Sequence, residues 1–222
     1  MERRIAVVLL NLGGPDSLNS VKPFLFNLFF DPAIITIPNP WRWLIAKLIS
    51  TKRAPVAKNI YKQLGGKSPI LDNTLQQAIS LEKNLSQDLN AKVFIAMRHW
   101  HPFTEDTFKD VVKYQPAKIV LLPLYPQFST TTTGSSFKIW DDVAKKSRYK
   151  LETTKICCYP ENTGWIDAQV NLILNAIINI NDLSLFRILF SAHGLPKKII
   201  NLGDPYQKQV ENTASAIIKK LN

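Results

Sequence analysis

The chain has 222 residues, of which 45% are hydrophobic and 20% charged, with a net charge of +11. That is enough chain and enough apolar content to bury a core, which excludes a disordered or low-complexity protein. The longest apolar stretch, Phe24 to Ile37, is interrupted by Asn27, Asp31 and Pro32. It falls short of the about 20 apolar residues that a membrane-spanning helix needs.

Met1-Glu2-Arg3-Arg4 leads directly into Ile5–Leu12, a β-branched apolar run that reads as a buried strand with no secretory leader before it. Gly13-Gly14-Pro15 follows as a tight turn. It lacks the third glycine of a dinucleotide-binding loop. Helical spacing marks 17–30 and 56–64, and a stripe of Leu71, Leu75, Ala78, Leu85 and Leu89 marks the clearest helix. Between these, Phe24 to Trp43 is unusually apolar and ends on Trp41-Arg42-Trp43. Strands are predicted at Val93–Arg98, Lys118–Leu124, Glu152–Cys158 and Arg187–Ser191, and helices at 104–114, 137–146, 165–180 and 205–221. Asp204 is placed to cap the last helix and Pro205 to open it.

Strands alternating with helices predict an α/β fold with parallel sheets and right-handed crossovers. Such sheets bind ligands beyond the carboxyl ends of their strands. Those ends read Gly13-Gly14-Pro15, Arg98-His99-Trp100-His101, Tyr125-Pro126-Gln127, Tyr159-Pro160 and His193-Gly194. All three histidines fall there, which predicts one cleft built from aromatics, imidazoles and an arginine. His101 before Pro102 reads as a structural residue at the approach to the next helix. The lysines and arginines are dispersed, so a solvated surface is expected and no nucleic-acid partner. Cys157 and Cys158 are the only cysteines and lie in a strand-like run, which predicts buried thiols in a reducing, cytoplasmic setting. Two cysteines cannot supply the four ligands of an iron–sulfur cluster, so none is expected.

Several strings in this order carry a resemblance. They are Val7-Val8-Leu9-Leu10-Asn11-Leu12-Gly13-Gly14-Pro15, Lys52-Arg53-Ala54-Pro55 with Tyr61 and Gly65-Gly66-Lys67-Ser68-Pro69-Ile70, and Met97-Arg98-His99-Trp100-His101-Pro102. Tyr125-Pro126-Gln127-Phe128-Ser129 comes next, and last Phe190-Ser191-Ala192-His193-Gly194-Leu195-Pro196 with Gly203-Asp204-Pro205-Tyr206. The chain resembles the ferrochelatases along essentially its whole length. The resemblance implies two α/β domains, residues 1–132 with an apolar porphyrin lip and residues 133–222 carrying the His193 motif, the second incomplete. Their porphyrin is held in the cleft between the domains. The implied activity is insertion of Fe²⁺ into protoporphyrin IX to form protoheme, the last step of heme biosynthesis. Iron is then a substrate, and no cofactor is tightly bound. His193 is the implied catalytic and metal-holding residue, because a neutral imidazole accepts a pyrrole proton or ligates Fe²⁺. Arg53, Tyr61, Ser68, Arg98, His99 and Tyr125 match porphyrin-binding positions. Arg53 offers a planar fork to a propionate, and Tyr61 and Ser68 offer hydroxyls. Arg98 and His99 match inner-cleft positions, with His99 suited to orienting the ring or metal.

The family's later glutamate signature, which would face the histidine, is not found after His193; Glu211 lies on the final helix. The expectation is therefore a chain truncated at its C-terminal side, with weak metallation by itself. The other reading is a tetrapyrrole-binding protein or inactive remnant that keeps binding and lacks turnover. The lip, with its tryptophans and arginine, also suits peripheral contact with a membrane surface.

Overall fold

The computed structural model describes residues 3–180, 182 and 187–221. Four parallel strands, β1 (Ile5–Asn11), β2 (Ala91–Met97), β3 (Lys118–Pro123) and β4 (Thr153–Lys155), form one sheet in the order β2-β1-β3-β4. The helices are α1 (Val21–Phe30), α2 (Trp41–Gln63), α3 (Ile70–Leu85), α4 (Thr104–Tyr114), α5 (Thr133–Lys146), α6 (Thr163–Ile177), α7 (Lys197–Asn201) and α8 (Tyr206–Leu221).

Central strand β1 explains why the sheet is covered on both faces. Ala6, Val8 and Leu10 pack with Phe108 and Val111 of α4 and Trp140 of α5. The alternate residues Val7 and Leu9 pack with Ala78 of α3 and its neighbours Leu81 and Leu85. Apolar side chains on both sides of one strand are the mark of a parallel sheet between helical layers. Strand β2 lies at the edge, and three of its outward backbone groups are engaged. Val93 N–H donates to Glu82 Oε2 at 2.6 Å, Ile95 C=O accepts from Thr107 Oγ1 at 2.6 Å, and Met97 N–H donates to Pro102 C=O at 2.8 Å.

Helix α2 starts well before the expected 56 and runs through Pro55. Proline inside a helix removes one backbone bond and crowds the preceding turn, at a cost of about 3 kcal/mol. Packing outweighs that cost here. Ala46, Ser50 and Ala54 are buried at four-residue spacing, small enough for the backbone to approach its neighbour closely. Ala54, Ala57 and Tyr61 join Val21, Phe24, Leu25 and Phe29 of α1 and Trp100 in one apolar cluster.

The chain divides into two compact units, Met1–Leu124 with Thr130–Cys157, and Tyr125–Ser129 with Cys158–Asn222. Helix α5 and strand β4, which the sequence places after residue 132, go with the first. In the second unit α6 and α8 pack through Ile166, Val170 and Ile217, and Lys220 pairs with Asp167. The Tyr125–Ser129 stretch is tied to α8 by Gln127 Nε2 to Thr213 Oγ1 at 2.9 Å and by Phe128 N–H to Gln209 Oε1 at 2.7 Å.

Two sequence expectations are corrected. Arg187–Ser191 is not a strand, so no second sheet forms among the described residues, and Leu189 is 88% exposed. An apolar β-branched run becomes a strand only when a neighbouring backbone takes its N–H and C=O groups. The expected strand 152–158 shrinks to three residues, which leaves Cys157 exposed and Cys158 half-buried instead of buried.

Candidate active site

Arg53, Tyr61, Ser68, Arg98 and His99 belong to the first unit, and Tyr125 and His193 to the second. Arg98 and His99 follow β2 and are placed by the end of β1. Arg98 N–H donates to Asn11 C=O at 2.8 Å and His99 N–H to Leu12 C=O at 2.9 Å. Asn27 of α1 closes the same turn, its amide donating to His99 C=O at 3.1 Å.

The side chains of this turn meet a carboxylate that the sequence reading did not select. Asp31 Oδ2 lies 2.8 Å from the Arg98 guanidinium and 3.8 Å from His99 Nε2, and it accepts from Ser135 Oγ at 2.5 Å. Arg98 Nε also donates to Ser135 Oγ at 2.6 Å, and Asp31 Oδ1 accepts from Ala33 N–H at 2.8 Å. The signal was present: Asp31 is a lone charge in an otherwise apolar run, and such a charge is buried only with partners. A cavity of about 340 Å³ opens beside this network, lined by Asn27, Asp31, Asn39, Arg42, Arg98 and Glu105 among others.

His99 is only 1% exposed, and neither ring nitrogen has a hydrogen-bond partner among the described residues. Its pKa falls from 6.5 to about 3, first because burial penalises the cation and then because of the Arg98 charge, with Asp31 opposing both. His99 is therefore a neutral, enclosed imidazole that shapes the turn. His101 packs edge-on against Phe103, ring centroids 4.5 Å apart, and stands in the approach to α4.

Arg53 lies within α2; its guanidinium sits over the Phe29 ring at 5.7 Å, with the side chain exposed. Tyr61 lies two turns further on, half-buried against α1, and burial raises its hydroxyl pKa. Ser68 stands where the chain enters α3. Its N–H donates to Pro15 C=O at 2.8 Å and its hydroxyl accepts from Ile70 N–H at 3.3 Å. A side chain on Gly14 would stand 2.5 Å from Ser68 Oγ, and Gly13, at φ +83°, lies against the Trp100 backbone. The glycine pair thus lets the ends of β1 and β2 and the start of α3 crowd together, a packing reason for two adjacent glycines.

In the second unit Tyr125 is half-buried. His193 is exposed and lies flat on the Tyr206 ring, centroids 4.2 Å apart and planes 5° apart. A cavity of about 290 Å³ is lined by His193, Ala192, Leu195, Tyr206, Val210 and Glu211 among others. Asp204 caps α8 as expected, accepting from Tyr206 N–H at 3.0 Å. No cluster of three or more histidine, cysteine or acidic side chains suited to a metal occurs among the described residues. No described helix is long and apolar enough to cross a membrane.

The family model Ferrochelatase matches residues 4–222. The chain is 52% identical over 220 residues to a ferrochelatase of Pelagibacter ubique (strain HTCC1062), covering 98% of this chain and 63% of that protein. It is 52% identical over 223 residues to one of Rickettsia bellii (strain OSU 85-389), covering 100% and 61%. It is 50% identical over 218 residues to one of Wolbachia sp. subsp. Drosophila simulans (strain wRi), covering 97% and 69%. The chain thus spans less than two thirds of the first two relatives' length, and the family match over residues 4–222 together with these identities shows that it belongs to the ferrochelatase family.

Proposed function

We propose that the chain takes part in inserting Fe²⁺ into protoporphyrin IX, with His193 as the residue that touches the reacting atoms. The observation that carries this reading is the exposed His193 imidazole, held flat on Tyr206 at the edge of a mostly apolar cavity. Metallation requires two pyrrole N–H protons to leave as iron enters, and a neutral imidazole can accept a proton or take a place on the iron. Arg53, Tyr61 and Ser68 suit a flat apolar disc with anionic arms, as a guanidinium and two hydroxyls beside an aromatic-rich helix pair. Arg98, held by its ion pair with Asp31, and His99, enclosed beside that pair, shape the turn that carries them. Tyr125 contributes an aromatic wall.

Peripheral attachment to a membrane surface belongs to the same reading. Helix α2 carries Arg42, Lys47, Lys52, Arg53, Lys58 and Lys62 and no acidic residue, and it exposes Trp41, Trp43, Leu44 and Leu48. Cations beside exposed tryptophan and leucine suit an anionic lipid interface and an apolar substrate delivered from it.

The test is to incubate the purified chain with protoporphyrin and Zn²⁺ or Fe²⁺ and follow the loss of free-porphyrin fluorescence beside a His193→Ala control. His193-dependent turnover supports the reading. Porphyrin binding without turnover replaces it with a tetrapyrrole-binding protein, and absence of binding overturns both.

A further inference from the structure

We propose that Tyr206, held by Asp204, is a positioning residue that sets the plane of the His193 imidazole; the inference rests on the catalytic reading of His193. His193 lies in a stretch, 187–196, that forms neither helix nor strand, and its side chain is exposed. An exposed imidazole on irregular backbone can exchange among several rotamers. A group that must meet a pyrrole nitrogen or an incoming metal has to be held to within about 0.5 Å and 10–20°. The parallel stack on Tyr206 supplies that restraint, at 4.2 Å between centroids and 5° between planes. It covers a ring face and leaves the ring edge, where the nitrogen lone pairs lie.

Tyr206 is itself fixed. It is the first residue of α8, and its N–H donates to Asp204 Oδ1 at 3.0 Å. Asp204 is 7% exposed, and its other oxygen accepts from the buried Ser129 hydroxyl at 3.1 Å. Gln209 and Thr213, on the next two turns of α8, hold the Tyr125–Ser129 stretch through Phe128 and Gln127. Burial raises the Tyr206 hydroxyl's pKa, opposed by the His193 backbone beside it. The Gly203-Asp204-Pro205-Tyr206 string thus has one physical purpose: a capped helix start that presents an aromatic face to His193.

The experiment compares wild type, Tyr206→Phe, Tyr206→Leu and Asp204→Asn of the full chain. The readouts are NMR shifts of the His193 ring protons, thermal melting, and kcat and KM for Zn²⁺ insertion into protoporphyrin. Ring-current shielding is expected in wild type and Tyr206→Phe and absent in Tyr206→Leu. Tyr206→Leu should lose about 10-fold in kcat with porphyrin KM unchanged, Tyr206→Phe, which keeps the aromatic face, should retain near-wild-type kcat, and Asp204→Asn, which weakens the hold on Tyr206, should fall between them. Wild-type kcat in Tyr206→Leu overturns the proposal. So does a loss that follows melting equally in all three variants, or unshielded His193 protons in wild type. If wild type inserts no metal, the catalytic reading falls, and the shielding comparison alone decides whether Tyr206 sets the ring.

Discussion

The Asp31 carboxylate and the Arg98 guanidinium form an ion pair at 2.8 Å, in which Asp31 is almost fully buried and Arg98 is 18% exposed. Asp31 binds Ser135, Arg98 and the Ala33 backbone at once, so its removal leaves a cation and a hydroxyl without their acceptor. Truncating one partner of such a pair costs about 3–5 kcal/mol. Asp31→Ala should therefore lower stability by about 3 kcal/mol in denaturant unfolding followed by tryptophan fluorescence, and Asp31→Asn by less. A loss below about 1 kcal/mol would show that the network contributes little.

Acid should weaken the fold through His99. Its pKa is 6.5 in the unfolded chain and about 3 in the folded one, so between these values the unfolded state binds more protons. The stabilisation is fully present above about pH 6.5 and is lost as pH falls towards 3. His99→Phe, which cannot titrate, should show a shallower loss of stability between about pH 6.5 and about pH 4 than wild type. Parallel pH profiles for the two proteins would refute this assignment.

The Gly13-Gly14 turn should tolerate no side chain. A methyl on Gly14 would meet Ser68 Oγ at 2.5 Å and Ser68 Cβ at 2.6 Å, and one on Gly13 would stand 2.9 Å from the Trp100 backbone nitrogen at a positive φ. Either alanine should cost about 1–3 kcal/mol. Gly14→Ala should also weaken porphyrin binding, because Ser68 has to move; quenching of tryptophan fluorescence by added porphyrin measures this. Unchanged binding would separate Ser68 from the substrate.

The α2 surface should select lipid by charge. Sedimentation with vesicles containing anionic lipid should exceed that with neutral vesicles and fall with salt, as surface charge attraction does. Replacing both Trp41 and Trp43 by serine should reduce it several-fold, since both rings are exposed and carry apolar area. Equal binding to neutral vesicles would point to a purely apolar contact.

Much of the fold was legible. β1, β2 and β3 appear within two residues of the expected ends because a strand covered on both faces is apolar throughout. Helix α4 matches its stripe at both ends. Helix α2 was half missed, since Pro55 and the cations hide a buried edge made of Ala46, Ser50 and Ala54, residues too small to register as hydrophobic periodicity. Arg187–Ser191 was misread because composition speaks for a strand while no described neighbouring strand pairs with it. In the site, glycine, histidine and arginine positions were readable from motifs. The pairing of Asp31 with Ser135 was not, because it arises only when the ends of α1 and β2 and the start of α5 bring distant side chains to one oxygen.

The engaged rim of β2 has a consequence for association between molecules. A strand at the margin of a sheet is a template on which another chain can polymerise. Here Glu82, Thr107 and Pro102 each occupy one outward group of the alternate residues Val93, Ile95 and Met97, so a stranger's backbone would have to evict a carboxylate, a hydroxyl and a carbonyl to pair along the whole strand. Recruitment of further strands is thereby directed to the opposite margin, where β4 offers only three residues.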